Sequence, residues 1–89
     1  MLKKLIYRAE FFQERDVYVG LCPELNVSSF GDDVEDAKSS LQEAIEAFIE
    51  TCEEMGTLEE VLKEAGFSCR RGIWSARKLI AEENLAISR

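Results

Sequence analysis

The spacing of the apolar residues changes at Asp32, and this change limits what the chain can fold into. Before Asp32, apolar residues alternate with polar ones or form one short run; after it they recur every third or fourth residue as far as Met55. A period of two indicates β-strands, and a period near 3.6 indicates an amphipathic helix. The sequence therefore predicts an α+β fold in which a small sheet comes first and a long helix packs on it.

The N-terminal third predicts three strands in an antiparallel meander. Residues 5–11 show partial alternation, and residues 13–16 are polar and suit a hairpin connection. Val17–Cys22 is β-rich and almost wholly apolar, which predicts a central strand covered on both faces. Pro23 ends that strand because it has no N–H to donate. Residues 25–31 alternate again and predict the third strand.

An apolar stripe predicts a long helix after the sheet. Asp32 or Asp33 can cap its first turn, and Gly56 can end it. Nine residues at spacings of three and four form the stripe: Val34, Ala37, Leu41, Ala44, Ile45, Phe48, Ile49, Cys52 and Met55.

Weaker patterns predict a second helix and a last strand. Thr57 followed by Glu60 has the spacing of a capping box, which predicts a short helix over residues 58–65 that Gly66 stops. Beyond Phe67 the apolar residues alternate only in part, and we expect one C-terminal strand there.

Length and cysteine usage predict one cytoplasmic domain over residues 1–89. A chain of 89 residues has room for one compact core. Arg8 and Glu10 interrupt the apolar stretch that would have to follow Lys3 and Lys4 in a signal peptide. An odd number of widely spaced cysteines argues against a disulfide framework and suits a reducing compartment. They are Cys22, Cys52 and Cys69.

The negative charge is concentrated in the middle of the chain. The net charge is −7, yet residues 1–31 sum to zero and residues 67–89 to +3, while residues 32–66 hold twelve acids against two lysines. An acidic field repels nucleic-acid phosphates and attracts basic surfaces. The charge pattern favours a basic protein partner, and the alternative is a helix face kept solvated by glutamates.

The residue types predict a protein that is not an enzyme and uses no cofactor. No histidine is present, so the commonest general base is missing, and no serine lies in a motif that activates a hydroxyl. A zinc site is not predicted either, because a CxxC pair is also missing. Cys22 is either a nucleophile beside Pro23 or a buried strand cysteine, and the second interpretation is favoured.

Two charged clusters have both a functional and a structural interpretation. Five carboxylates could hold metal ions for phosphodiester cleavage, although helix capping explains four of them more simply. They are Glu24, Asp32, Asp33, Glu35 and Asp36. Four basic residues surround Trp74 and could form a nucleic-acid patch: Arg70, Arg71, Arg77 and Lys78. The favoured alternative pairs them with acidic helices of the same or a neighbouring chain, with Trp74 in a core or interface.

Residues 5–67 resemble the N-terminal domain of HicB-type antitoxins. The likeness lies in the order of short motifs, namely the strand Val17–Cys22, the tripeptide Pro-Glu-Leu at 23–25, the segment Gly-Asp-Asp-Val-Glu-Asp-Ala at 31–37 that opens the long helix, and Ala-Gly-Phe at 65–67. The resemblance implies a partly reduced ribonuclease-H-like fold that has lost its catalytic carboxylates.

The resemblance also implies a partner. HicB-type proteins bind a small basic HicA-type toxin, an RNA-cleaving protein with a double-stranded-RNA-binding-like fold, and cover its active site. On this chain the expected partner-binding residues are Glu24, Glu43, Glu46 and Glu50. The basic cluster beyond the resemblance predicts a homo-oligomer, either a dimer or a tetramer, with an interface at Arg70, Arg71 and Trp74.

The chain departs from the family at two places. No helix-turn-helix or ribbon-helix-helix pattern follows Phe67, so operator-DNA binding and a separate DNA-binding domain are not expected. Asp33 stands where the family often has threonine, and both residues can start a helix. The alternatives are a homo-oligomeric, HicB-like scaffold without a toxin and a metal-dependent nuclease.

Overall fold

Within residues 2–89, which the computed structural model describes, the chain forms six β-strands and two α-helices. The α+β class and the order of sheet before helix are confirmed. In chain order the elements are β1 (Lys4–Ile6), β2 (Glu10–Glu14), β3 (Val17–Cys22), β4 (Val27–Gly31), α1 (Val34–Met55), α2 (Leu58–Glu64), β5 (Ser68–Arg70) and β6 (Ile73–Ser75). No helix in this part of the chain is both long and apolar enough to cross a membrane.

The strands form two three-stranded sheets. The predicted antiparallel meander is confirmed as β2-β3-β4, with β3 in the centre. Phe12 lies opposite Val19, and Val19 lies opposite Phe30. The second sheet has the order β1-β6-β5, in which β6 runs parallel to β1 and antiparallel to β5.

The first predicted strand is divided between the two sheets. One strand over residues 5–11 was expected, whereas residues 7–9 belong to neither β1 nor β2. The strand is broken because its two parts belong to different sheets, β1 pairing with β6 and β2 with β3. Arg8 lies in the break and binds Glu10 and Glu24 through its guanidinium group.

The C-terminal strand is a hairpin of two short strands. Arg71 and Gly72 form its turn, with φ angles of 54° and 82°. Positive φ at both positions suits the two-residue turns that match the twist of paired strands. Each strand is only three residues long, which is too short for alternation to mark its bounds. No strand follows Ser75 in the described part of the chain.

The caps of α1 are mostly as predicted. The Asp33 carboxylate accepts the Asp36 N–H at 2.7 Å, and the Asp36 carboxylate accepts the Asp32 N–H at 2.9 Å. Gly56 ends the helix with a φ of 71°. The capping box at Thr57 was wrong, because Thr57 makes no side-chain cap of α2. Its N–H instead donates to the Cys52 carbonyl at 2.9 Å and so closes the end of α1.

The core is formed by α1, one face of the meander, α2 and the second sheet, of which the last two contribute Leu62 and Trp74. Five of the nine stripe residues are buried, whereas Val34 and Met55 at the helix ends are exposed. The buried five are Ala37, Leu41, Ile45, Ile49 and Cys52. Gly31 lets β4 pass directly into α1, since a Cβ there would lie 2.6 Å from the Ala37 nitrogen. No side chain fits in that space.

The prediction that β3 is covered on both faces was wrong. A Cβ on Gly20 would lie 3.2 Å from the Ala37 carbonyl oxygen, so this face of β3 lies against α1. The neighbouring side chains on the other face are open, with Phe12 47% and Phe30 68% exposed. The reason is that α1 packs on one side of the meander only.

Candidate protein-binding site

An apolar groove runs between the N-terminal segment and α1. Its larger part is a cavity of about 490 Å³ with an apolar floor and a polar edge. The floor is formed by Leu2, Leu5, Tyr7, Ile45 and Ile49, and the edge by Gln42, Glu46 and Glu50. A second cavity of about 340 Å³ shares Leu5, Tyr7 and Gln42 with the first and extends it to Lys38. We call the two together the α1 groove.

The helical repeat explains why this groove is apolar inside and acidic at its edge. Leu41, Ile45 and Ile49 recur at a spacing of four and face the core. Gln42, Glu46 and Glu50 follow them by one position and form a parallel row at the solvent edge. The amphipathic pattern of α1 therefore places carboxylates directly beside the apolar side chains that line the groove.

The carboxylates of α1 have no cationic partners among residues 2–89. The helix carries seven acidic residues and one lysine, a net charge of −6. Within residues 2–89 both ion pairs involve Arg8, and neither involves α1. Three of the four predicted partner-binding residues, Glu43, Glu46 and Glu50, lie exposed on this helix. Unpaired charges of one sign along a helix favour the approach of a basic surface.

Tyr7 adds a hydrogen-bond donor to the groove. Burial raises the pKa of Tyr7, and Cys22 and Glu46 raise it further when they are ionised. The phenol therefore keeps its proton at neutral pH. A partner in the α1 groove meets an apolar floor, an acidic edge and one hydroxyl donor.

Glu24 is separated from the other predicted partner-binding residues. Its side chain is only 6% exposed, and one carboxylate oxygen accepts from Arg8 at 3.0 Å. The other oxygen is buried and has no hydrogen-bond partner in the described chain. Glu24, Arg8, Arg77 and Lys78 line a small cavity of about 210 Å³ distinct from the α1 groove. The structure thus gives Glu24 a partner inside its own chain.

We predict that Arg8→Ala destabilises the protein mainly through Glu24. Removing one member of a largely buried ion pair leaves the other charge without compensation. The double variant Arg8→Ala with Glu24→Gln has no such charge and is expected to regain much of the lost stability. Urea denaturation of the two variants measures the difference. Equal losses in both variants would show that Glu24 does not depend on Arg8.

The remaining carboxylates near the start of α1 serve the helix. The carboxylates of Asp33 and Asp36 accept hydrogen bonds from backbone N–H groups, as described above. Among residues 2–89 no group of three or more metal-ligating side chains is arranged to hold an ion.

The basic cluster is dispersed in the structure. Of the two alternatives for Trp74, core or interface, the structure shows the core, where Trp74 pairs with Leu5 and Cys69 across strands. This corrects the expected place of Trp74 in an oligomer interface, because its indole is already covered. Arg70 and Arg71 are exposed on the β5-β6 hairpin. Neither forms an ion pair with the acidic helices of the described chain.

The cysteines are all free, and they differ in exposure. Cys22 and Cys52 are buried and Cys69 is exposed. Burial raises the pKa of the Cys22 thiol, although backbone N–H groups of Leu25 and Glu24 act in the opposite direction. The thiol form is therefore favoured at neutral pH, which fits a buried strand cysteine. Thiolate, and not thiol, is the reactive species.

We predict that one thiol reacts in the native protein. Cys69 is expected to be alkylated rapidly at pH 7.5, and Cys22 and Cys52 only after unfolding. Mass spectrometry of peptides after timed alkylation measures this. Because the Cys22 pKa is higher in the folded chain, its contribution to stability is present at neutral pH and is lost as the pH rises into the alkaline range. Fast labelling of Cys22 at neutral pH would contradict the packing.

Sequence reasoning found the acidic row but missed the groove. The resemblance to HicB-type antitoxins gave Glu46 and Glu50 a predicted role, whereas nothing local to Leu2, Tyr7 or Gln42 indicated that they would meet. Their proximity depends on the pairing of β1 with β6, which holds the N-terminal segment beside α1. The apolar residues at positions 2 and 5 were the available signal.

Comparisons of the chain with protein-family models, characterised proteins and solved structures find no match. The likeness to HicB-type antitoxins rests on the motif order of residues 5–67.

Proposed function

We propose that this protein is an antitoxin-like binding protein that neutralises a small basic HicA-type ribonuclease toxin by covering its active site. The observation that carries the proposal is that Glu46 and Glu50 line the α1 groove and Glu43 lies exposed on the same helix, with no ion pair to any of the three among residues 2–89. The motif order of residues 5–67 supplies the type of partner. The free cysteines support a cytoplasmic location.

Charge and apolar surface have separate tasks in such a complex. A protein that cleaves RNA needs a basic surface for the phosphates, and an acidic helix can occupy that surface. Complementary charge speeds the encounter and rejects acidic competitors. Burial of apolar side chains in the α1 groove then slows dissociation, since well-packed desolvated contacts carry most of the binding energy.

The direct test is co-expression with the small basic protein encoded by the adjacent gene. We expect the two chains to purify together and RNA cleavage by the basic protein to stop when this chain is added. Binding is expected to weaken as salt rises, because exposed charges are screened. If no adjacent gene encodes a small basic protein, or if cleavage continues in the presence of this chain, the proposal fails.

A second candidate is a homo-oligomeric, HicB-like scaffold without a toxin partner. The exposed apolar side chains Phe12 and Phe30 favour it, because they leave one face of the meander uncovered. The two candidates differ in one measurement, since only the antitoxin binds the basic protein.

A further inference from the structure

The uncovered side of the meander has an apolar centre, which is bordered by Glu10 and Glu14 of β2 and by Ser28 of β4. Phe12, Val19 and Phe30 lie side by side across three strands, and Val17 and Leu21 flank Val19 along β3. We call these five residues the open face. Exposed apolar patches of this kind mark interaction sites in soluble proteins.

The composition of β3 indicates that the open face is covered in the functional state of the protein. A strand with one face in water normally alternates apolar and polar residues. In β3 the residues that point away from α1 are Val17, Val19 and Leu21, all apolar. The strand therefore has the sequence of one buried on both sides, whereas among the described residues α1 covers one side only.

The same chain carries an apolar segment that also lacks a cover. Residues 77–89, which we call the C-terminal arm, contain no helix or strand and are exposed throughout. Ile80, Leu85 and Ile87 are between 85% and 93% exposed. The radius of gyration is 15.0 Å, whereas a compact domain of this length has about 12 Å. The arm extends away from the domain.

The root of the arm is fixed to the second sheet. The Ala76 N–H donates to the Ile6 carbonyl at 3.1 Å, and Arg77 and Lys78 lie beside Arg8 and Glu24. From that root an extended segment of this length reaches roughly 40 Å. A three-stranded sheet is only about 15 Å wide. The arm is long enough to cross the open face of an adjacent molecule.

Charge selects the side on which a second acidic copy can approach. The net charge of α1 is −6, and α1 lies on the covered side of the meander. Residues 1–31, which contain the whole open face, sum to zero, and the arm sums to +1. Two copies that meet through their open faces keep their acidic helices on the outside, where repulsion is smallest.

We propose that the open face binds a second copy of this chain, whose C-terminal arm lies across it in a two-fold dimer. Each chain then supplies one face and one arm, as an isologous interface requires. A standard interface buries roughly 800 Å² per partner. In the two-fold dimer the open face and the C-terminal arm each occur twice, so each contributes twice to the buried area. The proposal does not rest on the antitoxin function, because it concerns the opposite side of the sheet from the α1 groove.

The test is the oligomeric state of the full chain and of three variants. Phe30→Ser alters the open face, and Leu85→Ser with Ile87→Ser alters the arm. Met55→Ser is the matched control, because Met55 and Phe30 are both 68% exposed and Met55 lies at the end of α1. All altered side chains are at the surface, so circular dichroism should show native folding. Sedimentation analysis over a concentration series gives the dimer dissociation constant.

We expect the native chain to be a dimer and both the face and arm variants to raise its dissociation constant about 100-fold. The altered site, which is Phe30 in one variant and the Leu85 and Ile87 pair in the other, occurs twice in the dimer, and a factor of about ten per site corresponds to about 1.4 kcal/mol. The control should leave the constant unchanged. A monomeric native chain, or a dimer insensitive to either the face or the arm variant, overturns the proposal.

Discussion

Replacing Glu43, Glu46 and Glu50 by lysine is expected to weaken binding of the basic partner by at least about 100-fold, or about 2.7 kcal/mol. Each change removes an attraction and adds a repulsion, and one contact between exposed charges is worth about 1 kcal/mol in water. The three side chains lie on one stretch of α1 and form no ion pair within the described part of their own chain. Titration calorimetry with the basic protein measures the loss.

A triple variant of α2 is the matched control for that experiment. Glu59, Glu60 and Glu64 are exposed on α2, and their replacement by lysine changes the net charge by the same amount. We expect this control to lose far less affinity, because α2 does not line the α1 groove. If both triple variants lose the same affinity, the partner senses overall charge and not the α1 surface.

Leu41→Ala is expected to cost about 3 kcal/mol of unfolding free energy. Leu41 is fully buried in the middle of α1, close to Gly20 on the central strand. Truncating a buried leucine loses apolar burial and leaves a cavity. For a domain of this size such a loss lowers the melting temperature by about 12 to 24 °C. Thermal and urea denaturation followed by circular dichroism measure the change.

The control for Leu41 is Val34→Ala at the start of the same helix. Val34 is 44% exposed, so its truncation removes little buried surface. A change within about 0.5 kcal/mol is expected there. Should Leu41→Ala cost no more than Val34→Ala, α1 would not be packed on the meander as described.

The sequence predicted those elements whose cause is local. The apolar spacing from Val34 to Met55 defined α1, because helical periodicity is repeated over six turns. Asp33 and Gly56 marked its ends by side-chain and backbone chemistry that acts within one turn. The meander followed from two strong strands and the short links between them.

Elements that depend on distant partners could not be predicted. Alternation over residues 5–11 predicts an extended segment. It does not predict that the first part of the segment pairs with β6 and the last part with β3. From the sequence alone, Glu24 is interpreted as a surface carboxylate. In the structure it lies beside Arg8, which is sixteen residues away. The apolar residues on the second face of β3 predict that this face is buried. The structure shows that α1 covers the other face only.

The candidate site likewise has one part that the sequence predicted and one part that it did not. The acidity of α1 follows from the sequence, and the resemblance to HicB-type antitoxins gave Glu43, Glu46 and Glu50 their predicted role in partner binding. The floor of the α1 groove was not predicted, since Leu2 and Tyr7 reach it through the parallel pairing of β1 with β6.

The one-sided placement of α1 also sets a stoichiometry. In a two-fold pair joined through the open faces, the two α1 grooves lie on the outer sides and point away from each other. Such a pair would hold two basic partners that do not touch, giving a 2:2 assembly. A partner that is itself dimeric could then link successive pairs into chains, whereas a monomeric partner would leave a closed four-chain particle.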